Sequence, residues 1–153
     1  RRAFCLNSFG MNDRGQLGHL GDPSIPTLVP SLGGVIDVVC GGNFTLILCT
    51  KDRVIRGWGD NTYGQLGVGD FFQFSHIPIE IKKLKHVFAI ACGKYHAAAL
   101  LDDGSGVWWG KNADGDSGTP VPFDGVVDVC KIVCGDFDTQ LHLLDGTIIN
   151  YAH

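Results

Sequence analysis

Apolar residues fall in short runs along the whole chain, and glycine, asparagine or aspartate separates nearly every run from the next. The runs 35–40, 87–92 and 126–134 are rich in β-branched residues and suit strands. A glycine-bearing turn follows each, then a second run at 44–49, 96–101 and 138–143. A charged or Asp-Gly turn leads to a third run at 54–58, 106–109 and 147–151. Turns this short join antiparallel neighbours. A fourth strand fits at 27–30, 77–81 and 121–123. Proline stands at 26, 30, 78, 120 and 122, where its missing N–H suits a sheet edge. No segment holds a 3.6-residue period long enough for an amphipathic helix. The pattern predicts an all-β chain of four-stranded antiparallel sheets.

The strands recur because the sequence does. Phe9-Gly10, Trp58-Gly59 and Trp109-Gly110 fall at intervals of 49 and 51 residues. Asn12, Asn61 and Asn112 follow each glycine by two positions, and Gly15, Gly64 and Gly115 by five. Gln-Leu-Gly closes the phrase at 16–18 and 65–67, and gives way to Asp-Ser-Gly at 116–118. A second phrase keeps Cys40-Gly41, Cys92-Gly93 and Cys134-Gly135 in register. Asp52, Asp103 and Asp145 each stand six residues before Trp58, Trp109 and Tyr151, so Tyr151 occupies the aromatic slot a fourth time. Four short strands per roughly 50 residues is the signature of propeller blades. The units run 1–34 (partial), 35–86, 87–125 and 126–153 (partial). A closed propeller takes at least about four blades. The expectation is therefore a partial propeller, either a piece of a longer protein or one completed by partners or self-association. Two copies would supply six or seven blades.

Composition narrows the function classes. The 153 residues are 44% hydrophobic and 18% charged, which fits one folded domain. The 22 glycines are scattered, as many tight turns require. Net charge is −4, and KKLK at 82–85 is the densest basic stretch, so nucleic-acid binding is disfavoured. No window is apolar enough for a membrane span. The opening RRAFCLNSFG has too short an apolar run for a signal peptide, so no targeting segment is expected. Six cysteines at loose spacing read as small buried hydrophobes in a reducing compartment, which predicts an intracellular protein, cytoplasmic or nuclear.

The phrases ACGKYHAAALLDDG and WGDNTYGQLG resemble the repeat of the regulator-of-chromosome-condensation family. The resemblance covers nearly the whole chain and implies blades of a seven-bladed propeller. The family phrase of small residue, Gly, two variable residues and His is kept from Gly93 to His96. Phe44 and Asp138 replace the histidine in the flanking copies. In that family the founding member binds nucleosomes and speeds guanine-nucleotide release from the GTPase Ran. Others serve in ubiquitin ligases, ciliary scaffolds, a plant ultraviolet receptor and β-lactamase inhibitors. The implied common role is a rigid disc that presents loops to a protein partner. The expected function is a protein-interaction scaffold without catalysis. The alternatives are a nucleotide-exchange factor for a small GTPase and a propeller that inhibits an enzyme by covering it.

Residue chemistry supports no reacting centre, and neither enzyme activity nor a cofactor is expected. His96 has no nucleophile and orienting carboxylate beside it, and reads as a satisfied residue at a blade junction. Cys130, Cys134 and His142 lack a zinc spacing and a fourth ligand. Asp13, Asp60, Asp114 and Asp116 lack the ladder of a calcium loop and read as turn caps. Phe9, Trp58, Trp109 and Tyr151 fill one structural slot, and Cys40, Cys92 and Cys134 line equivalent inner strands between blades. Trp108 points to the opposite face from Trp109, buried or exposed. Partner contact is expected first at Phe71, Phe72, Phe74 and His76, in the long connection 68–86. The alternative there is that they plug the wedge between blades. The tips Asn43-Phe44, Lys94-Tyr95 and Asp136-Phe137 share one rim, either as a contact strip or with the aromatic packed inward.

Overall fold

The computed structural model describes residues 4–30 and 32–153; Arg1 and Arg2 of the opening stretch lie outside them. The strands are β1 (Asn7–Ser8), β2 (Thr27–Leu28), β3 (Val35–Cys40), β4 (Phe44–Cys49), β5 (Ile55–Asp60), β6 (Phe74–Glu80), β7 (Val87–Cys92), β8 (His96–Leu101), β9 (Gly106–Gly110), β10 (Ser117–Pro122), β11 (Val129–Cys134), β12 (Asp138–Leu143) and β13 (Ile148–Ala152). They form four antiparallel meander sheets: β1-β2, β3-β4-β5-β6, β7-β8-β9-β10 and β11-β12-β13. The chain is all-β, an unclosed array of propeller blades. In the four-stranded sheets the first strand is innermost: β7 touches both β3 and β11. The fourth strands β6 and β10 are outer edges, and Pro78, Pro120 and Pro122 lie in them, where a missing N–H breaks no ladder.

The copies share irregularities as well as strands. Each inner strand slips register near its start, between Val35 and Asp37, Val87 and Ala89, and Val129 and Lys131. A bulge adds twist and turns one residue outward; Phe88, the residue skipped in β7, is 56% exposed. The glycine that follows each inner strand has a common reason. A Cβ on Gly41 would collide with the Phe44 ring, on Gly93 with the His96 ring, and on Gly135 with the Asp138 carboxylate. The residue three positions on folds back over the glycine, so an added Cβ would have to displace that side chain.

The core lies between sheets. One buried cluster joins β3–β6 to β7–β10 through Phe44, Leu46, Leu66, Ile81, Ala97 and Trp109. A second packs Val29 and Leu32 against Ile47 and Trp58. A third joins β7–β10 to β11–β13 through Ala98, Leu100, Phe123 and Leu141.

Several expectations need correction. The fourth strands begin earlier, at Phe74 and Ser117, so Phe74 and His76 belong to a strand and not to a loop. The third strand of the second blade runs on past Trp58 to Asp60, and the inner strand β11 starts at Val129. Phe9 occupies the aromatic slot in register but is 65% exposed, because β1 and β2 offer no neighbouring strands for its ring to lie against. Of the six cysteines only Cys49 is buried; Cys40 is exposed, Cys92 and Cys134 are half-buried, and all six are free thiols. Cys92 and Cys134 pack at the margin of the clusters between sheets, whereas Cys40 lies exposed. Trp108 is half-buried against the third cluster.

Candidate functional site

The rim is built by two kinds of turn that meet. The first follows each third strand. Asn61 closes it: Oδ1 accepts the Leu66 N–H (3.0 Å), and Nδ2 donates to the Asp70 carbonyl (2.8 Å). Asn12 does the same for Leu17 and His19. The turn thrusts Gln-Leu-Gly onto the next blade. There the indole N–H of Trp109 donates to the Gln65 carbonyl (2.9 Å), as that of Trp58 does to Gln16 (2.8 Å). Gly67 lies so close to the Trp109 ring that a Cβ would stand 2.9 Å from Nε1. Its φ of 70° also belongs to the left-handed region that glycine tolerates.

The second kind of turn joins the inner strand to its neighbour. Its residues form a ladder across blades. The Gly42 N–H donates to the Lys94 carbonyl (3.0 Å), and the Lys94 N–H to the Asp136 carbonyl (2.9 Å). These backbone bonds place Lys94, Tyr95, Asp136 and Phe137 in a row. Tyr63 joins from the first kind of turn, held by its N–H to Gln65 Oε1 (2.9 Å). Lys111, just past Gly110, donates its N–H to the Tyr95 carbonyl (2.9 Å).

The side chains interleave. The Tyr63 and Tyr95 ring centroids are 5.3 Å apart, and those of Tyr95 and Phe137 6.4 Å. Lys111 Nζ lies 4.7 Å from the Tyr63 ring and 5.4 Å from Tyr95. Lys94 Nζ lies 5.4 Å from Tyr95 and 5.8 Å from Phe137. An ammonium over an aromatic face gains about 0.5–1 kcal/mol at an exposed site. Phe137 is 54% exposed, and Lys94 and Asp136 are exposed. Asp136 and Lys94 also share a small hollow with Cys92 and Gly93.

Of the residues expected to meet a partner, the fold brings Lys94, Tyr95, Asp136 and Phe137 together. Phe44 does not join them: it is 1% exposed, one position out of register with Tyr95 and Phe137, and lies in the slot His96 fills elsewhere. The 71–76 group is divided. Phe71 is exposed beside Gly118, Phe72 packs on the core, and the Phe74 and His76 rings meet edge to face at 5.1 Å on the outer strand. Tyr63 and Lys111 were not singled out in the sequence. Their signal was position: each lies just past an aromatic–glycine pair, where the chain folds back over the neighbouring turn.

His96 is 1% exposed and spans two blades. Its Nε2 lies 3.2 Å from the Asp138 carbonyl and 3.1 Å from Thr139 Oγ1. A carbonyl only accepts, so Nε2 carries the proton. The ring stacks on His153 at 4.1 Å. Burial first, and His153 second, lower its pKa to about 4, so it stays neutral near pH 7. Burial also raises the Cys134 thiol to about 11 and Cys92 well above the ordinary thiol value, with Cys134 and Cys40 adding to the latter. Protonated thiols are poor nucleophiles. No set of three metal-ligating side chains converges among the described residues. No helix among them is long and apolar enough to cross a membrane. A hollow of about 540 Å³ lies between β1 and β3–β4, lined by Leu6, Phe9, Met11, Val38, Phe44 and Trp58.

The repeat, the four-strand sheets and the interlocking turns define a class of propeller. The family model described as the regulator of chromosome condensation (RCC1) repeat matches residues 6–48 and 57–100. The chain belongs to that family. It is 38% identical over 117 residues to the probable E3 ubiquitin-protein ligase HERC6 of Homo sapiens, covering 72% of this chain and 11% of that protein. It is 35% identical over 132 residues to the X-linked retinitis pigmentosa GTPase regulator of Canis lupus familiaris, covering 82% of this chain and 13% of the relative. Among solved structures, Prp20p from Saccharomyces cerevisiae superposes with a TM-score of 0.81 at 20% identity, over 95% of this chain and 40% of that one. The chain therefore spans a small part of its relatives' length.

These matches correct the expectation that the protein is not an enzyme. HERC6 is by name a ligase, and Prp20p was solved together with its binding properties to Gsp1p and histones. A protein that acts by holding one conformation of its partner needs no nucleophile or base of its own. The lack of such residues therefore carried no weight against activity.

Proposed function

We propose that this chain supplies blades whose turn rim docks a protein partner, and that the partner is a small GTPase whose nucleotide release the whole protein speeds. The observation that carries the reading is the continuous row Tyr63, Lys111, Tyr95, Lys94 and Phe137, set on a backbone ladder that crosses three blades. Exchange requires tighter binding to the nucleotide-free partner than to the loaded one. A rigid surface can supply that difference, and this rim is braced by hydrogen bonds between blades. The likeness to a GTPase regulator and to Prp20p supports the choice of partner. We count Phe71 among the partner-facing residues, place the protein inside the cell in cytoplasm or nucleus, and take the units as 1–34, 35–86, 87–125 and 126–153.

The test is release of a fluorescent guanine nucleotide from a panel of small GTPases, with the full-length protein added. Acceleration of about tenfold or more for one member is expected, reduced by Tyr95→Ala. No acceleration across the panel overturns the exchange reading. A second reading, recruitment of a substrate to a ubiquitin ligase, is favoured by the 38% identity to HERC6. It predicts saturable crosslinking at the rim without nucleotide release.

A further inference from the structure

The two lysines of the rim have an unusual setting. The chain as a whole carries a net charge of −4, yet Lys94 and Lys111 stand together on one edge. Among the described residues neither forms an ion pair; the pair present there is Arg56 with Glu80. Each ammonium is held over two rings instead. A ring face gives up no hydrogen-bond acceptor as strong as a carboxylate, so each ammonium keeps N–H donors for an outside anion. The rings also limit the lysines' freedom, which lowers the entropy lost when an anion binds.

The geometry points to an extended acidic peptide segment of a protein partner, with carboxylates on alternate residues, as the occupant of this rim. This rests on the docking reading above and adds the chemistry of what docks. Both cations contact the Tyr95 ring, Lys111 shared with Tyr63 and Lys94 with Phe137. Successive ring centroids are 5.3 and 6.4 Å apart. Side chains at alternate positions of an extended strand project from one face about 6–7 Å apart. A Glu-x-Glu or Asp-x-Asp segment laid along the row sets its carboxylates at about the spacing of the rings that hold the lysines, while the intervening residue points away. A single-stranded nucleic acid suits the rim less well. The lysines lie over the ring faces that bases would stack on, the rings are tilted 57° and 44° to one another, and the net negative charge opposes a polyanion. Asp136, exposed and lining the same hollow as Lys94, opposes a further carboxylate on that side of the row.

The test uses the full-length protein and a fluorescein-labelled ten-residue peptide with glutamate at alternate positions, read by fluorescence polarisation. Binding is expected to saturate and to weaken as salt rises from 50 to 500 mM. It should fall at least fivefold in Lys94→Gln and in Lys111→Gln, and strengthen in Asp136→Asn. A peptide of the same composition with its glutamates in one block should bind more weakly. Equal binding of the two peptides, no response to either lysine change, or tighter binding of a ten-nucleotide oligothymidylate overturns the proposal. Thermal melting of each variant shows that it is folded. Should the peptide fail while rim crosslinking to a GTPase or a ligase substrate remains saturable, the docking reading stands and the acidic occupant does not.

Discussion

Two blade junctions of this chain answer the same packing problem with different chemistry. Between β3–β6 and β7–β10 the joint is apolar and clasped. Phe44 fills the slot above Gly41, and Leu66 is carried into the core by the Gln-Leu-Gly arm, with Trp109 beneath it. Between β7–β10 and β11–β13 the slot holds His96, bound to Asp138 and Thr139 and stacked on His153. There the arm is missing. Asn112 Oδ1 accepts only the next residue's N–H, and Asp116 instead accepts the Asn112 N–H. Tyr151 takes the aromatic slot without an indole N–H for an arm to accept. Phe123, larger than its counterpart Ile81, packs against Tyr151 at 4.6 Å and fills part of the space. The loss of the arm, the change of Trp to Tyr and the change of Ile to Phe belong together. The comparison teaches that a blade interface is a set of linked choices: the arm and the indole are one device, and neither is kept alone.

The comparison breaks most plainly at its aromatic centres. Trp109→Ala removes a fully buried ring and its bond to Gln65, and should cost about 3–5 kcal/mol. Tyr151→Ala, at a half-buried ring, should cost only about 1–2 kcal/mol. Urea melts of the two variants check the ratio, and equal losses would mean the clasped joint is no tighter than the open one. The glycines give a second, smaller contrast. At Gly64 a Cβ would stand 2.6 Å from the Gly118 Cα at a φ of 76°, whereas at Gly115 nothing lies within 4 Å. Gly64→Ala should therefore cost about 2–3 kcal/mol from overlap and backbone strain, and Gly115→Ala about 1 kcal/mol from strain alone.

A last contrast separates the junctions by pH. A histidine near pKa 4 in the fold and about 6.5 when unfolded binds its proton more readily in the unfolded chain. Its contribution is therefore fully present above about pH 6.5 and is lost as pH falls toward 4, by roughly 2–3 kcal/mol. His96→Phe, which copies the residue of the other junction, should flatten the stability curve between pH 6.5 and 4. An unchanged slope in that variant would place the titration elsewhere.

Much of the fold could be read before any coordinates. The strands 35–40, 44–49, 87–92, 96–101 and 138–143 have the limits their apolar runs suggest, because a turn glycine or aspartate closes each one. The outer strands were legible only in part. Phe74 and His76 are polar-flanked and aromatic, and read as a loop because an edge strand needs no apolar alternation when one side faces solvent. The rim was legible by halves. Lys94, Tyr95, Asp136 and Phe137 recur at one register, but Tyr63 and Lys111 lie 32 and 16 residues from Tyr95 in the sequence. Only the return of the third-strand turn over the neighbouring blade brings them beside it.

By itself, the sequence determined the repeat, its strand order and the glycines, because those follow from local turn geometry and from the period at which apolar residues return. Only the tertiary structure decided which copies of a residue are buried. Phe9 and Trp58 hold the same slot, and so do Phe44 and His96, but their surroundings come from the adjacent blade. Burial, the lowered His96 pKa and the interleaved rim are properties of neighbours, and a repeat read along one chain does not say what each copy faces.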